Sequence, residues 1–90
     1  RWPYAETGQE HDMQTFFVQI KCKLGQTYEV ATALAESEIA SEIYSVAGDY
    51  DILSKFYVDD TVDIGHFVAQ KIQKIPGIQD TRTLITFKAF

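Results

Sequence analysis

Cysteine is almost missing from this sequence of 90 residues, which contains one cysteine, two prolines and one methionine. With Cys22 as the single thiol, no disulfide can form within the chain, and a reducing compartment is the simplest setting. No apolar run approaches the ~18 residues of a membrane-spanning helix. The N-terminal stretch has no apolar core of signal-peptide length. These absences favour a cytoplasmic protein with no membrane partner.

Positive charge is also scarce, with 8 lysines and arginines against 13 acidic residues and a formal net charge of -5. Nucleic-acid binding needs a clustered positive surface that faces the phosphates. An anionic membrane surface attracts basic segments in the same way. We therefore expect this chain to make no direct contact with nucleic acid.

Catalytic and metal-binding motifs are missing from the sequence. It has no cysteine pair, no HExxH, no GxSxG and no glycine-rich phosphate loop. His11 lies in the unpatterned N-terminus, His66 suits a solvated helix position, and Cys22 alternates with core residues as a small hydrophobe does. The carboxylates available to a metal stand at opposite ends of one strand: Asp49, Asp51, Asp59 and Asp60. We predict no catalytic residue, no metal site and no cofactor.

The length allows one domain, whose core would be small. A chain of this size buries roughly 60% of its unfolded surface, so it gains stability by oligomerising. Hydrophobic residues make up 46% of the chain, too many for a disordered protein. Met13 directly precedes the first patterned segment. We therefore expect residues 1–12 to be a leader or a cloning remnant and residues 13–90 to form the fold.

Hydrophobic periodicity predicts six elements in the order β-α-β-β-α-β. Strands are expected at "TFFVQIKC", "ASEIYSVAG", "YDILSKFYV" and "TRTLITFKAF". The first helix should begin at Gln26 or Thr27. Asp59 and Asp60 should end the third strand and cap the second helix, which "PGI" at 76–78 breaks. This order indicates a ferredoxin-like α+β fold, with a four-stranded antiparallel sheet and both helices on one face.

The opposite face of that sheet would carry several large apolar side chains. An exposed patch of this kind exceeds what a monomer normally shows, and a second copy related by a two-fold axis would cover it. We therefore expect a homodimer made by stacking two sheets. The residues on this face are Phe17, Tyr44, Leu53, Tyr57 and Leu84.

The turn between the second and third strands has an unusual composition, with Gly48, Asp49, Tyr50 and Asp51 in succession. Ordinary turn chemistry accounts for the glycine, which we expect to adopt a positive φ. It also accounts for one aspartate, which accepts hydrogen bonds from nearby backbone N–H groups. It requires neither the second aspartate nor the tyrosine. A small zwitterion would use all of them, with a carboxylate for its ammonium group and turn N–H groups for its carboxylate. From these residues alone, both explanations stay open.

The stretch "EIYSVAGDYDILSKFYVDD", followed further along by "KIPGIQDTRTLITF", resembles the ligand-binding domain of the Lrp/AsnC family of transcription regulators. The shared pattern is a glycine, a variable residue, an aromatic residue and an aspartate between two strands. An aspartate then opens the second helix, and a proline-glycine break precedes a T-x-T strand. The resemblance covers nearly all of residues 13–90. The matching positions are Gly48, Asp49, Tyr50, Asp51, Asp60, Ile75 to Ile78, Thr81 and Thr83.

The resemblance implies an effector-binding domain for the regulation of amino-acid metabolism, often called a RAM domain. Members bind amino acids between dimers, often within octameric rings. Asp51 matches the family's aspartate and would hold the ligand ammonium, whereas the position of Asp49 is variable. Tyr50 would close the pocket or pack on the first helix. Thr81 and Thr83 would add hydroxyl contacts from a neighbouring chain.

The chain departs from full regulators of this family in one respect. We find no helix-turn-helix pattern, and the 12 residues before Met13 cannot supply one. The resemblance therefore implies a stand-alone effector domain that modulates full-length relatives by mixed assembly. Three alternatives share its main features. They are a small dimeric α+β barrel enzyme, such as a cofactor-free monooxygenase or isomerase, a scaffold without a ligand, and an ACT-like domain.

Overall fold

The computed structural model describes residues 13–90, so the expectations for residues 1–12 and for His11 lie outside the described residues. Four strands and two helices follow one another in the predicted order. The strands are β1 (Met13–Cys22), β2 (Glu42–Ser45), β3 (Ile52–Asp59) and β4 (Ile78–Ile85). The helices are α1 (Thr27–Ser37) and α2 (Ile64–Phe67), and α2 continues as a π-helical turn over Val68–Ile72.

The four strands form one antiparallel sheet in the order β2-β3-β1-β4. The long strands β1 and β3 lie at the centre, and the register aligns Phe16 with Phe56 and with Ile85. The inner residues of both helices belong to a single buried cluster with the inward side chains of β1 and β3. This confirms the predicted ferredoxin-like α+β fold.

The core lies between the sheet and the helices and is almost entirely apolar. Phe16 stacks on Phe56 with ring centroids 5.1 Å apart, and Phe67 meets both rings edge-on at 5.8 Å. Ser54 is fully buried among them, and its hydroxyl donates to the Val18 carbonyl oxygen. The other buried core residues are Val18, Ile20, Cys22, Val30, Leu34, Ile52, Val58, Ile64, Val68 and Ile72.

The bounds of two strands, β2 and β4, differ most from the sequence prediction. β2 spans only Glu42–Ser45, and β4 begins at Ile78 and ends at Ile85 rather than covering 81–90. Ile78 enters the strand early because it pairs with Cys22 at the end of β1. Beyond Thr86 the alternation continues in the sequence, but Phe87 is fully exposed. Alternation shows which face a residue takes, and it does not show where a partner strand ends.

The cap of α2 also differs from the prediction. Asp63 is the N-cap residue, and its Oδ1 accepts a hydrogen bond from the His66 N–H at 3.1 Å. Asp59 accepts instead from the N–H and the hydroxyl of Thr61, at 3.0 and 2.9 Å. These bonds hold the pKa of the Asp59 carboxyl below its ordinary value. The expectation that Asp59 and Asp60 cap the helix is wrong, because this local turn places the N-cap at Asp63, three residues beyond Asp60.

Gly77 is the glycine whose backbone the fold most constrains. Its φ is +96°, and a Cβ there would lie 3.0 Å from Gln26 Oε1 and 3.0 Å from Val30 Cγ2. Its carbonyl oxygen also accepts from the Lys23 N–H at 2.7 Å. Gly77 therefore packs the turn before β4 directly against the start of α1.

We predict that Gly77→Ala destabilises the fold more than Gly25→Ala. Gly25 has a similar φ of +77°, but no atom lies within 4 Å of the position its Cβ would take. Backbone strain alone should cost about 1 kcal/mol at either site, and overpacking should add roughly 1–3 kcal/mol at Gly77. Urea denaturation of both variants measures the difference. Equal losses would show that Gln26 and Val30 move aside freely.

Candidate functional site

The turn from β2 to β3 presents Gly48 at an exposed tip. Its φ is +110°, as the sequence predicts, and no atom lies within 4 Å of the position a Cβ would take. The turn is closed by the Val46 N–H, which donates to the Asp51 carbonyl oxygen at 3.0 Å. Glycine is needed here for its backbone conformation rather than for space.

Asp51 holds this turn against the central strand. Its backbone N–H donates to the Ile20 carbonyl oxygen at 2.9 Å, and its Oδ2 accepts from the Cys22 N–H at 2.8 Å. The carboxylate thus accepts a hydrogen bond from Cys22, which lies in β1 beyond the last residue that pairs with β3. This structural role is not visible in the sequence, because an aspartate that serves a local turn and one that bonds to a distant strand leave the same pattern.

Asp49 and Tyr50 precede Asp51 in the turn and do not share its hydrogen bonds to β1. The ammonium of Lys21 donates to the backbone carbonyl oxygen of Asp49 at 3.3 Å, so Lys21 also restrains the turn. The Asp49 residue is exposed and Tyr50 is half-buried. In these described contacts Asp49 takes part through its backbone.

Cys22 lies beneath the turn as a buried thiol. Burial raises the pKa of this thiol, and a hydrogen bond with Thr27 acts in the opposite direction. A thiol with a raised pKa is protonated at neutral pH and is a poor nucleophile. Cys22 therefore serves as part of the core, as its alternation in β1 predicts.

A recess of about 210 Å³ opens beside Asp51. The carboxylate of Asp51 and the side chains of Lys21 and Lys23 give this turn recess groups of both signs. Gln79 forms the wall on the side of β4. The remaining lining residues are Cys22, Leu24, Gly25 and Thr27.

Thr81 and Thr83 lie on the other side of β1. They pair with Ile20 and Val18, so both face the helices. The Thr81 hydroxyl oxygen accepts from Gln73 Nε2 at 2.7 Å, which links β4 to the end of α2. Thr81 lines a second recess of about 300 Å³, the strand recess, together with Gln73, Ile78, Gln79 and Asp80.

The structure thus places the predicted residues on both sides of the end of β1. Asp51, directly before β3, is bonded to Ile20 from one side, and Thr81 of β4 pairs with Ile20 from the other. Gln79 lines both the turn recess and the strand recess. Thr83 lies one step further from this end of the sheet. Sequence reasoning missed Gln73 and Gln79, because neither belongs to an apolar stripe or to the family pattern.

The outer face of the sheet carries a charged pair among aromatic rings. Lys55 Nζ lies 5.0 Å from the Tyr57 ring centroid and 5.9 Å from that of Phe17. It is also 3.6 Å from Glu42 Oε2, and the Tyr44 hydroxyl donates to Glu42 Oε1 at 2.7 Å. The hydrogen bond from Tyr44 lowers the pKa of Glu42. The Glu42 carboxylate and the Lys55 ammonium therefore both stay charged at neutral pH.

A third recess, larger than the turn recess and the strand recess, lies on this outer face, at the end of the sheet remote from Cys22. Its volume is about 630 Å³, and Phe17, Lys55 and Tyr57 form its floor. It belongs to the apolar face that the sequence predicts to meet a second copy. We therefore do not assign a small ligand to it.

Residues 13–90 offer little for other kinds of site. In this part of the chain, no three His, Cys, Asp or Glu side chains are grouped so as to hold a metal ion. None of the helices within it has the length and apolar character needed to cross a membrane.

Comparison with known proteins points to one family. The family model described as the Lrp/AsnC ligand binding domain matches residues 15–90. The HTH-type transcriptional regulator FL11 of Pyrococcus abyssi is 36% identical over 72 residues, which cover 80% of this chain and 47% of that protein. The FL11 protein of Pyrococcus horikoshii is 35% identical over the same shares. The chain spans about half the length of the curated relatives it matches.

Solved structures agree with the sequence comparison. FFRP-DM1 superposes with a TM-score of 0.75 at 34% identity, covering 82% of this chain and 99% of that one. The protein TTHA0845 of Thermus thermophilus gives a TM-score of 0.77 at 31% identity, covering 86% and 96%. The match to this chain therefore covers nearly the whole length of FFRP-DM1 and of TTHA0845.

We predict that Asp51→Ala destabilises the fold and that Asp51→Asn largely spares it. Alanine leaves the Cys22 N–H without its partner, a loss of about 1–3 kcal/mol. Asparagine keeps a carbonyl oxygen that can accept the same bond. Urea unfolding of the two variants measures the difference. If both variants lose the same stability, the charge rather than the hydrogen bond holds the turn.

Proposed function

This chain belongs to the Lrp/AsnC ligand-binding domain family, and from that premise we propose that it binds a small amino acid and assembles with copies of itself. Its role would be to modulate transcription regulation or amino-acid metabolism in the cytoplasm. The observation that carries the proposal is the fixed Asp51 carboxylate in a recess that also holds two lysines. An amino acid has one group for each of these charges.

The hydrogen bond from Cys22 orients Asp51 without using up its acceptors. A carboxylate offers about four lone-pair positions, and the Cys22 N–H engages one of its two oxygens. A ligand ammonium would pair with the other oxygen. Lys21 and Lys23, together with N–H groups of the turn, would receive the ligand carboxylate.

Assembly is the second part of the proposed function. The outer sheet face combines Phe17, Tyr57 and Leu84 with the paired charges of Lys55 and Glu42. A second copy would cover this face, and dimers would associate further into a closed ring such as an octamer. Mixed assembly with full-length Lrp/AsnC regulators would carry the ligand signal to DNA.

An enzymatic role has less support. A dimeric α+β barrel enzyme needs a polar or histidine-bearing cavity between the sheet and the helices. Here that space is packed by Phe16, Phe56 and Phe67. The one buried hydroxyl among residues 13–90, on Ser54, is bonded to the backbone. The relatives found by comparison carry the names of transcriptional regulators.

We predict that at least one of the twenty amino acids raises the melting temperature of the chain. A ligand at 100 times its dissociation constant adds about 2.7 kcal/mol, which a thermal-shift assay detects. Asp51→Asn should weaken the binding of that amino acid about tenfold or more in calorimetry, because the ammonium loses its counter-charge.

Asp60→Asn is the matched control for this experiment. Asp60 is exposed at the far end of β3, so the same chemical change there should leave the affinity within about twofold. Unchanged affinity in Asp51→Asn would remove Asp51 from the site. If no amino acid binds at millimolar concentration, the ligand-free scaffold becomes the better explanation.

We predict that Leu53→Glu produces a monomer or an aggregate. Leu53 pairs with Tyr44 and Gln19 on the outer face, so stacking two sheets would bury the new carboxylate without a partner. Tyr28→Glu is the control, because Tyr28 is 82% exposed on α1, on the other side of the sheet. Light scattering distinguishes the two results. A well-folded Leu53→Glu dimer would argue against this interface.

A further inference from the structure

The strand recess is bounded by two insertions in regular secondary structure. At the end of α2 the Gln73 N–H donates to the Val68 carbonyl oxygen, five residues back, which defines the π-helical turn. In β4 the register moves from Lys21 opposite Asp80 to Cys22 opposite Ile78, so Gln79 has no residue facing it. Both kinds of insertion re-aim side chains and recur at functional sites.

Each insertion directs a glutamine into the recess. Gln73 follows the π-helical turn and reaches Thr81 Oγ1 at 2.7 Å, while Gln79 is the bulged residue itself. An inserted residue rotates the residues after it about the helix axis, so a regular helix would present a different side chain toward Thr81. Ile78 is the one apolar side chain among the lining residues of this recess.

These glutamines keep unused hydrogen-bonding groups. The Gln73 carboxamide donates to Thr81 through Nε2, which leaves its carbonyl oxygen as an acceptor. The Thr81 hydroxyl, having accepted from Gln73, has its own proton to donate. Gln79 lines both the strand recess and the turn recess beside Asp51. A ligand held at Asp51 would thus have Gln79 as its neighbour on the side of β4.

We propose that Gln73 and Gln79 select the side chain of the bound amino acid, favouring side chains with an amide or hydroxyl group over apolar ones of the same shape. This inference rests on the proposed amino-acid site at Asp51. An apolar side chain in the strand recess would displace water from the amides and from Thr81 without replacing those hydrogen bonds. The volume of about 300 Å³ is at the small end of the range for ligand pockets and suits a side chain rather than a whole cofactor.

Near-isosteric pairs of free amino acids test the proposal directly. Calorimetry on the full chain compares glutamine with methionine, asparagine with leucine, and threonine with valine. We expect the polar member of each pair that binds to have a dissociation constant about tenfold lower, because both glutamines are exposed to solvent and one hydrogen bond decides the difference.

Variants then assign the preference to residues. Gln73→Met and Gln79→Met should each shrink the polar-to-apolar ratio severalfold, while Gln70→Met should leave the ratio unchanged. Gln70 is an exposed residue of the same π-helical turn, and its side chain accepts from Lys74 at 2.9 Å, not from β4. Asp51→Asn should weaken both members of a pair equally and so leave the ratio intact.

The outcomes separate the two proposals. If no amino acid binds, the proposed function fails and the selectivity fails with it. If amino acids bind but the apolar members bind as well or better, only the selectivity of Gln73 and Gln79 is overturned. A polar preference that persists in both glutamine variants would also overturn it, because other groups would then supply the discrimination.

Discussion

The hydrogen bond between the Asp51 carboxylate and the Cys22 N–H is the contact on which the candidate site depends. It lies at the end of β1, and the neighbouring segments are bonded to the same end of this strand. Cys22 pairs with Ile78 to start β4, and the neighbouring Lys23 N–H is bonded to Gly77. One aspartate therefore positions the turn between β2 and β3 relative to the loop before α1 and to the first residues of β4.

Most of the fold follows from the sequence because its elements obey simple periods. Alternation in β1 and β3 identifies the buried face, and the stripes in the helices identify the faces that cover it. The conformation of Gly48 also follows, because the turn composition there requires a residue that adopts positive φ. These features are local, so neighbouring residues contain the information needed to predict them.

The rest depends on partners that are distant in the chain. The start of β4 is set by pairing with Cys22, and the bulge at Gln79 is visible only as a shift in that pairing. The π-helical turn keeps the apolar stripe of α2 nearly intact, so the pattern gives no sign of it. The periodic pattern also does not predict the contacts of Gln73 and Asp51, because their partners lie in other strands. The turn of the candidate site could thus be predicted from the sequence. The contribution of Gln73 and Gln79, on the side of β4, could not be predicted.

The edge strands carry a consequence for how copies of this chain can join. The β2 edge has only four residues, and the β4 edge contains the bulge at Gln79, followed by the charged residues Asp80 and Arg82. Short, bulged and charged edges resist hydrogen bonding to another sheet. Growth by adding strands side by side, the geometry of fibrils, is therefore blocked at both ends of the sheet. Contacts between faces, whose symmetry limits the number of copies, are the route left open.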